Sequence, residues 1–321
     1  MIARCSTNDA GISKLAGQFS IHHDEIATHL GQHYQQAGDE QEPMSIECID
    51  AHHHLWKYSA KEYPWMSDKM DVLRRDYVHD DLSAVTAAAG VTGSVVVQAQ
   101  QTIAETEWLL SLAEGSNLIR GVVGWVPLVD AKVEVSLQES VQRPKLKGVR
   151  HVLHDEADDR YMLREDFNRG IACLKQFDLR YDLLIFERHL PQTIEFVDRH
   201  PNQIFILDHI AKPRIHEQMM EPWQANLREL ARRENVYCKI SGMVTEAEWH
   251  SWSEAQLWPY METVLSAFGA KRLMFGSDWP VLNLASDYGA WIEVVKRAVD
   301  RLSPHEYQQI MAKTAIEAYG L

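Results

Sequence analysis

Two histidines separated by one residue, His52 and His54, follow a short apolar run at Glu47–Ala51. Such a run is typical of a buried strand, and side chains alternate between the two faces of a strand. His52 and His54 therefore point to one side, and His53 points to the other. Two imidazoles that converge in this way form half of a metal site or a pair of donors for an oxygen anion. The pair alone fits a solvated histidine cluster equally well, and the distant Asp278 is the group that favours a site.

Polar side chains follow most of the other predicted strands. Seven of the eight strands end in a group that can bind a ligand or titrate, which packing alone does not explain. In chain order these groups are His52 and His54, Gln98, Arg150 and His151, Glu187, Asp208 with His209 and Lys212, Lys239 with Ser241, and Asp278. Four tryptophans also follow strand ends, where they wall a pocket or pack in its rim: Trp56, Trp65, Trp125 and Trp279.

The strands that would position these groups recur regularly from Ser45 onward. Each is a short run rich in Val, Ile and Leu, as expected for strands buried on both faces of a parallel sheet. The predicted strands are Glu47–Ala51, Gly93–Gln98, Arg120–Val126, Lys147–Val152, Arg180–Phe186, Gln203–Asp208, Val236–Ser241 and Arg272–Ser277.

Stretches with the apolar period of a helix separate these strands. They are Leu82–Ala89, Ala104–Glu114, Lys132–Gln142, Arg164–Gln176, Pro191–Arg199, Pro222–Arg233 and Trp258–Phe268, followed by Asp287–Arg301 and Pro304–Tyr319. Eight strand–helix units over about 275 residues predict an α/β fold, the (β/α)8 TIM barrel. An open doubly wound sheet is the alternative, but no glycine-rich fingerprint opens the first helix. A closed barrel brings strand one beside strand eight, so His52, His54 and Asp278 would meet at its C-terminal rim.

The composition is that of a water-soluble globular protein. Of 321 residues, 45% are hydrophobic and 24% are charged, and no apolar run reaches the roughly 18 residues that a membrane helix needs. A formal net charge of -14 argues against binding to nucleic acid or to an anionic membrane. The four cysteines are scattered, which favours a cytoplasmic protein without disulfides.

Residues 1–44 differ in composition from the rest of the chain. They are rich in His, Gln, Ala and Gly, with weak helical patterns, and Gly38–Pro43 has the composition of a linker. We therefore expect a short N-terminal extension at 1–44, helical or mobile and without assigned chemistry, and a barrel domain at 45–321.

Four motifs at strand ends resemble the amidohydrolase superfamily. They are Asp-x-His-x-His at 50–54, Asp-His-x-x-Lys-Pro at 208–213, Lys-x-Ser-Gly at 239–242 and Gly-Ser-Asp-Trp-Pro at 276–280. The resemblance covers about Ile46 to Leu321 and is greatest for the amidohydrolase-related branch of sugar-acid lactonases, of the L-fuconolactonase and L-rhamnonolactonase type. It implies a hydrolase that opens a cyclic ester of a sugar acid, such as a deoxy-hexonolactone.

The resemblance also implies roles at matching positions. Asp278 would activate water, His209 would be the strand-six histidine, and Arg150 and His151 would be donors to the oxyanion. The expected substrate-binding residues are Trp56, Trp65, Gln98, Trp125, Glu187, Lys212 and Trp279.

The number of metal ions is a point of departure from the family. Binuclear members have a histidine at the end of strand five, whereas His189 of this chain lies farther into the loop. One divalent metal, zinc before others, on His52, His54 and Asp278 is one expectation. A metal-free mechanism, with the histidines and Arg150 as donors, is the other.

Two other functions remain alternatives to the lactonase. One is a metal-dependent decarboxylase or another hydrolase of the same branch, which would prefer an aromatic acid. The other is a barrel that binds a sugar acid without turnover, although binding alone does not require the base Asp278. The expected partner is a small-molecule lactone rather than nucleic acid or membrane, and a homo-oligomer is compatible with the sequence.

Overall fold

A parallel barrel of eight strands forms the centre of the protein. The computed structural model describes residues 47–321, so the predicted N-terminal extension lies outside the described residues. The strands pair in sequence order, and each pair is parallel. Their bounds are β1 Ile49–His53, β2 Gly93–Val97, β3 Ile119–Gly124, β4 Leu146–Val152, β5 Arg180–Leu184, β6 Phe205–Leu207, β7 Val236–Ile240 and β8 Leu273–Phe275.

The first and last strands come together at the C-terminal rim. The amide of Asp278 donates to the carbonyl of His52 at 2.8 Å, and the amide of His54 donates to the carbonyl of Trp279 at 2.7 Å. These two hydrogen bonds link β1 to the segment that follows β8, which makes the sheet a nearly closed (β/α)8 barrel. The predicted fold class is confirmed.

Helices surround the barrel and connect its strands. In the described part of the chain they are α1 His79–Ala89, α2 Ile103–Glu114, α3 Val133–Ser140, α4 Glu165–Leu174, α5 Leu190–Arg199, α6 Trp223–Leu230, α7 Glu254–Phe268, α8 Tyr288–Val299, α9 Pro304–Gln308 and α10 Thr314–Tyr319. The predicted final helix, Pro304–Tyr319, is interrupted by a π-helical turn at Gln309–Lys313. Between residues 47 and 321, no helix combines the length and the apolar character that a membrane span requires.

Apolar residues fill the barrel interior below its C-terminal rim. Ile49, Val95, Val123 and Met274 point inward from their strands, and Tyr319 of α10 packs against the same group. A second and larger core lies between the strands and the outer helices. Polar side chains lie above this apolar group, toward the ends of the strands, and the hydroxyl of Tyr319 donates to Asp182 of β5 at 2.7 Å where the two meet.

Candidate active site

β1 supplies the two histidines at the centre of the rim. His52 is fully buried and His54 nearly so, and their Nε2 atoms are 3.2 Å apart. His53 points to the opposite face, where its Nε2 atom meets the hydroxyl of Ser94 at 3.0 Å. The alternation predicted from the sequence therefore holds for all three residues.

A strained turn after β8 presents Asp278. Its φ is 59°, in the left-handed region that a non-glycine residue adopts at a cost. The turn is held by Asp50 of β1, whose carboxylate accepts from the amide of Ser277 at 2.8 Å, from the hydroxyl of Ser277 at 2.6 Å and from Tyr288 at 2.9 Å. Burial raises the pKa of Asp50 to about 6, although these hydrogen bonds oppose the shift. Asp50 therefore positions Asp278 and does not face the reacting groups.

A left-handed turn after β6 presents His209. Residues His209, Ile210, Ala211 and Lys212 all have φ between 46° and 63°. The ring of His209 packs over Gly242, where an added Cβ would lie 2.6 Å from the imidazole, so no larger residue fits there. The hydroxyl of Ser241 meets Nδ1 of His209 at 2.8 Å and fixes the ring so that Nε2 faces Asp278.

Three imidazoles surround one oxygen of Asp278. The Oδ1 atom is 3.4 Å from Nε2 of His54 and 3.8 Å from Nε2 of both His52 and His209. Burial lowers the pKa of His52 and of His209 well below the usual range, so both rings are neutral at physiological pH. Asp278 thus faces the neutral rings of His52 and His209, together with His54, at the rim of the barrel.

Three of these atoms fit a metal ion. Nε2 of His52, Nε2 of His54 and Oδ1 of Asp278 are separated by 3.2, 3.4 and 3.8 Å. Ligands of a tetrahedral zinc ion lie about 2.0–2.2 Å from the metal and therefore roughly 3.3–3.6 Å from one another. A second group, His52 with Asp208 and His209, also has ligand atoms close enough to share an ion. The donor set suits zinc, and the open side of the first group faces the cavity.

A charged layer lies directly beneath the histidines. Asp182, Asp208 and Lys239 are fully buried, and Arg150 is almost so. Lys239 Nζ contacts Asp182 Oδ2 at 2.5 Å and Asp208 Oδ1 at 2.9 Å, while Arg150 donates to Asp208 Oδ2 at 2.9 Å. We call Asp182, Asp208, Lys239 and Arg150 the enclosed layer.

The carboxylates of the enclosed layer have opposite pKa shifts. Burial raises the pKa of Asp182 to about 6, with the charge of Lys239 opposing the shift. Burial also acts to raise the pKa of Asp208, but Lys239, His52 and Arg150 together hold it well below its usual range. Asp208 is therefore the carboxylate of the layer that keeps its charge to lower pH, and it contacts both Lys239 and Arg150.

A cavity of about 360 Å³ opens above these groups. Eight of the predicted site residues line it, and they are His54, Trp56, Trp65, Gln98, Arg150, His209, Lys212 and Asp278. His52 lies directly behind them, bonded to His54. The strand-end pattern therefore identified most of the polar surface of the cavity.

Four predicted site residues lie outside the cavity lining. His151 follows Arg150 on β4 and so points to the outer face, where it bonds Glu156 at 2.6 Å and receives a hydrogen bond from Trp125 at 3.4 Å. Glu187 pairs with Arg214 at 2.8 Å. Trp279 is buried against Tyr77, with ring centroids 5.2 Å apart. Strand alternation explains the position of His151, and the paths of loops explain the other three.

Residues that sequence reasoning missed complete the cavity. The lining includes His154, Asp155, Thr245, Glu246 and Trp249, all from the loops that follow β4 and β7. Burial lowers the pKa of His154 to about 3, so it is neutral. Their only sequence signal is that they follow a predicted strand end by two to eight residues. His189, considered above for a second metal, instead bonds Asp159 at 2.8 Å.

Comparison with known proteins identifies similar chains. A family model described as Amidohydrolase matches residues 49–321. An L-fucono-1,5-lactonase from Burkholderia multivorans is 42% identical over 289 residues, covering 87% of this chain and 97% of that protein. An L-fucono-1,5-lactonase from Burkholderia ambifaria is 36% identical over 277 residues, covering 85% and 95%. The crystal structure of an amidohydrolase from Burkholderia multivorans with bound zinc is 40% identical, with a TM-score of 0.82 over 86% of this chain and 99% of that one.

Proposed function

The chain belongs to the amidohydrolase family, and from that premise we propose that it hydrolyses the cyclic ester of a sugar acid, with L-fucono-1,5-lactone as the first candidate substrate. Two relatives that are 36–42% identical to this chain over most of its length are L-fucono-1,5-lactonases. The observation that carries the proposal is the position of Asp278. Its carboxylate lies at the floor of a cavity, within 3.4–3.8 Å of three imidazole nitrogens.

Asp278 is suited to be the base of an ester hydrolysis. A water molecule beside its carboxylate gives up a proton as the water oxygen attacks the lactone carbonyl. Negative charge then develops on the carbonyl oxygen, and N–H donors fixed nearby stabilise it. Arg150 and the rim histidines are the nearest such groups. As the ring C–O bond breaks, protonated Asp278 returns its proton to the ring oxygen, so the products are the open acid and an unprotonated base.

Two versions of this mechanism differ in how the carbonyl is polarised. His52, His54 and Asp278 would hold one zinc ion, which when bound polarises the carbonyl and lowers the pKa of water. A similar chain was crystallised with zinc, which supports this version. In the metal-free version Arg150 and those rim imidazoles that carry a hydrogen on Nε2 are the donors.

The charge distribution of the cavity favours a neutral, hydroxylated ligand. Arg150 is already paired with Asp208, and Lys212 with Glu246 at 2.7 Å. Trp56, Trp65 and Trp249 add aromatic surface. A lactone has several hydroxyls and no net charge, so partly engaged polar groups between aromatic walls suit it. A decarboxylase of aromatic acids needs a cation free to meet a carboxylate, and both cations that line this cavity have carboxylate partners.

The proposal is tested with a panel of substrates. L-Fucono-, L-rhamnono- and D-galactonolactones are assayed by acid release against a blank without enzyme, which corrects for spontaneous ring opening. The L-fuconolactone is expected to be opened fastest. Each assay is repeated after chelation and after zinc is restored, which separates the two versions of the mechanism. Release of carbon dioxide from an aromatic acid, without turnover of any lactone, would overturn the proposal in favour of the decarboxylase.

A further inference from the structure

The ring of His52 has two competing partners at its Nδ1 atom. Asp208 Oδ1 is 3.2 Å away, and Lys239 Nζ is 3.1 Å away. A carboxylate accepts hydrogen bonds and an ammonium group donates them. The two partners therefore favour opposite tautomers of one ring. The outcome decides whether Nε2, the atom next to His54 and Asp278, carries a hydrogen or a lone pair.

The neighbouring His54 constrains the choice. Its Nδ1 atom is 2.8 Å from the carbonyl oxygen of Val97, which can only accept, so Nδ1 carries a hydrogen. In a ring with this single hydrogen, Nε2 is an acceptor. Nε2 of His52 is 3.2 Å from that acceptor. This contact is a hydrogen bond only if Nε2 of His52 carries a hydrogen. Otherwise two lone pairs face each other, and a cation is needed between them.

Lys239 completes a consistent set of hydrogen bonds. Its ammonium group has three hydrogens and three close acceptors: Asp182 Oδ2 at 2.5 Å, Asp208 Oδ1 at 2.9 Å and His52 Nδ1 at 3.1 Å. Because Lys239 is fully buried, an unused hydrogen would have no water to bond. The third hydrogen bond requires a lone pair on Nδ1 of His52, and therefore a hydrogen on Nε2.

The partners of Asp208 do not require the other tautomer. Oδ1 of Asp208 accepts from Lys239, and Oδ2 accepts from Nη1 of Arg150 at 2.9 Å. The same Nη1 atom is 3.4 Å from Nε2 of His52, a longer contact than the one to Asp208. One chain of hydrogen bonds thus runs from Lys239 through His52 and His54 to Val97 without a metal. It leaves unbonded the longer contacts from Nε2 of His52 to Arg150 at 3.4 Å, from Nδ1 of His52 to Asp208 at 3.2 Å and from Nε2 of His54 to Asp278 at 3.4 Å.

We propose that Lys239 is a positioning residue that holds metal-free His52 in the Nε2–H tautomer and thereby lowers the zinc affinity of the site formed by His52, His54 and Asp278. To bind zinc, the ring releases the hydrogen on Nε2 and takes one up on Nδ1, where Asp208 accepts it. The ring stays neutral, so His52 exchanges no net proton. Lys239 loses one acceptor in that state, so Lys239 opposes the metal and Asp208 favours it. The inference rests on the metal site of the proposed function and is independent of which lactone is the substrate.

Neutron crystallography of the wild-type protein tests the tautomer directly. Crystals exchanged into heavy water are measured after chelation and again after zinc is added. We expect deuterium on Nε2 of His52 in the metal-free protein and on Nδ1 in the zinc-bound protein. Deuterium on Nδ1 of the metal-free protein, alone or together with Nε2, overturns the inference. Zinc that fails to bind these three residues would refute the proposed metal site, whereas the metal-free tautomer would still test the role of Lys239.

Zinc affinities of two variants test the opposing roles of the partners. Replacing a residue that contacts a metal ligand typically changes metal affinity by about 10–100-fold. We expect zinc to bind that much more tightly to Lys239→Met and more weakly to Asp208→Asn, measured by competition with a chelating dye. General damage to the site would instead weaken zinc binding in both variants. Folded Lys239→Met with unchanged or weaker zinc affinity contradicts the inference, and if that variant does not fold, the neutron measurement decides.

A half-buried lysine elsewhere in the chain, whose ammonium group also makes three hydrogen bonds, provides the control. Lys145 donates to the carbonyls of Ala113, Ser116 and Ile119 at 2.6–2.7 Å. Lys145→Met therefore also removes three hydrogen bonds of an ammonium group, but none of them reaches His52. We expect this variant to lose stability and to keep the zinc affinity of the wild type. An affinity gain like that of Lys239→Met would show that the gain reflects a loosened fold.

Discussion

Two lysines near the C-terminal rim of the barrel show how depth changes the role of a charge. Lys239 has no solvent exposure and contacts Asp182, Asp208 and His52. The side chain of Lys212 is 15% exposed and forms an ion pair with Glu246, which is 21% exposed. Both pairs are close, at 2.5–2.9 Å for Lys239 and 2.7 Å for Lys212. The difference is that a ligand in the cavity can reach Lys212 and Glu246, whereas it cannot reach Lys239.

The surroundings of each lysine fit these different roles. A charge in the interior is stable only when its partners replace the lost water, and Lys239 has three such partners. Burial acts to lower the pKa of Lys212, but Glu246 and Asp278 outweigh it and raise the pKa, so Lys212 is charged at neutral pH. Its ammonium group can therefore share its hydrogens between Glu246 and a ligand hydroxyl. The enclosed layer holds the ring of His52, and the Lys212–Glu246 pair lines the cavity in which the proposed lactone would bind.

Asp278 lies between these two regions, and its replacement should have the largest effect. Asp278→Asn keeps the shape of the side chain but removes the base, so we expect lactone hydrolysis to fall by about 10²–10⁴-fold. The strained turn should persist, since asparagine tolerates a positive φ well. Acid release under saturating lactone, with folding checked by circular dichroism, measures the effect. Hydrolysis within a few-fold of the wild-type rate in a folded variant would leave Asp278 without a catalytic role.

Lys239→Met should mainly affect folding. Removal of one partner from a buried ion pair costs about 3–5 kcal/mol, because the other charge remains buried without compensation. We expect a loss of that size in the free energy of unfolding, measured in urea. The double variant Lys239→Met with Asp182→Asn removes an uncompensated carboxylate and should recover part of the loss. A loss below about 1 kcal/mol, as for an exposed ion pair, would mean that the two lysines do not differ in this way.

Alternation along the strands predicted some site residues correctly and left others undecided. The period of two along β1 predicted that His52 and His54 share a face, and the closed barrel predicted that Asp278 would join them. At β4, Arg150 and His151 were both assigned to the site, although adjacent strand residues face opposite sides. The apolar pattern of that strand did not indicate which face was inner. The sequence therefore did not show which of the two residues on β4 points into the barrel.

Loop residues were harder to predict than strand residues. Glu187 and Trp125 follow strand ends as closely as Lys212 does, yet they contact Arg214 and His151 instead of the cavity. Glu246 and Trp249, which line the cavity, lie beyond the last residue of β7. No periodicity governs the path of a loop, so the sequence did not indicate which loop residues line the cavity. The extension at 1–44, the cytoplasmic location and the oligomeric state stay predictions.

Lys212→Met should reduce substrate binding with little change in stability. Hydrogen bonds to charged groups contribute about 1.5–3 kcal/mol, which corresponds to roughly 10–100-fold in kcat/KM if Lys212 bonds a lactone hydroxyl. A partly exposed ion pair adds about 0–1 kcal/mol to stability. Glu246→Gln, which keeps the size of the partner, is the matched variant and should raise KM less. Both are assayed with L-fuconolactone and with an analogue that lacks one hydroxyl. A variant that still discriminates between the two as the wild type does would remove the pair from hydroxyl recognition.

His151→Gln should have the smallest effect on catalysis. The sequence assigned His151 to the oxyanion, but its ring lies outside the cavity lining, stacked on Tyr161 with centroids 5.3 Å apart and bonded to Glu156. Burial lowers the pKa of His151, so the ring is a neutral packing group there. Loss of one hydrogen bond costs about 0.5–1.5 kcal/mol of stability. Because Arg150 on the inner face is unchanged, we expect kcat/KM within about twofold of wild type, as for sites that share no partner with the reacting groups. A drop of a hundredfold or more, with the fold intact, would return His151 to the active site and show that β4 turns its other face to the substrate.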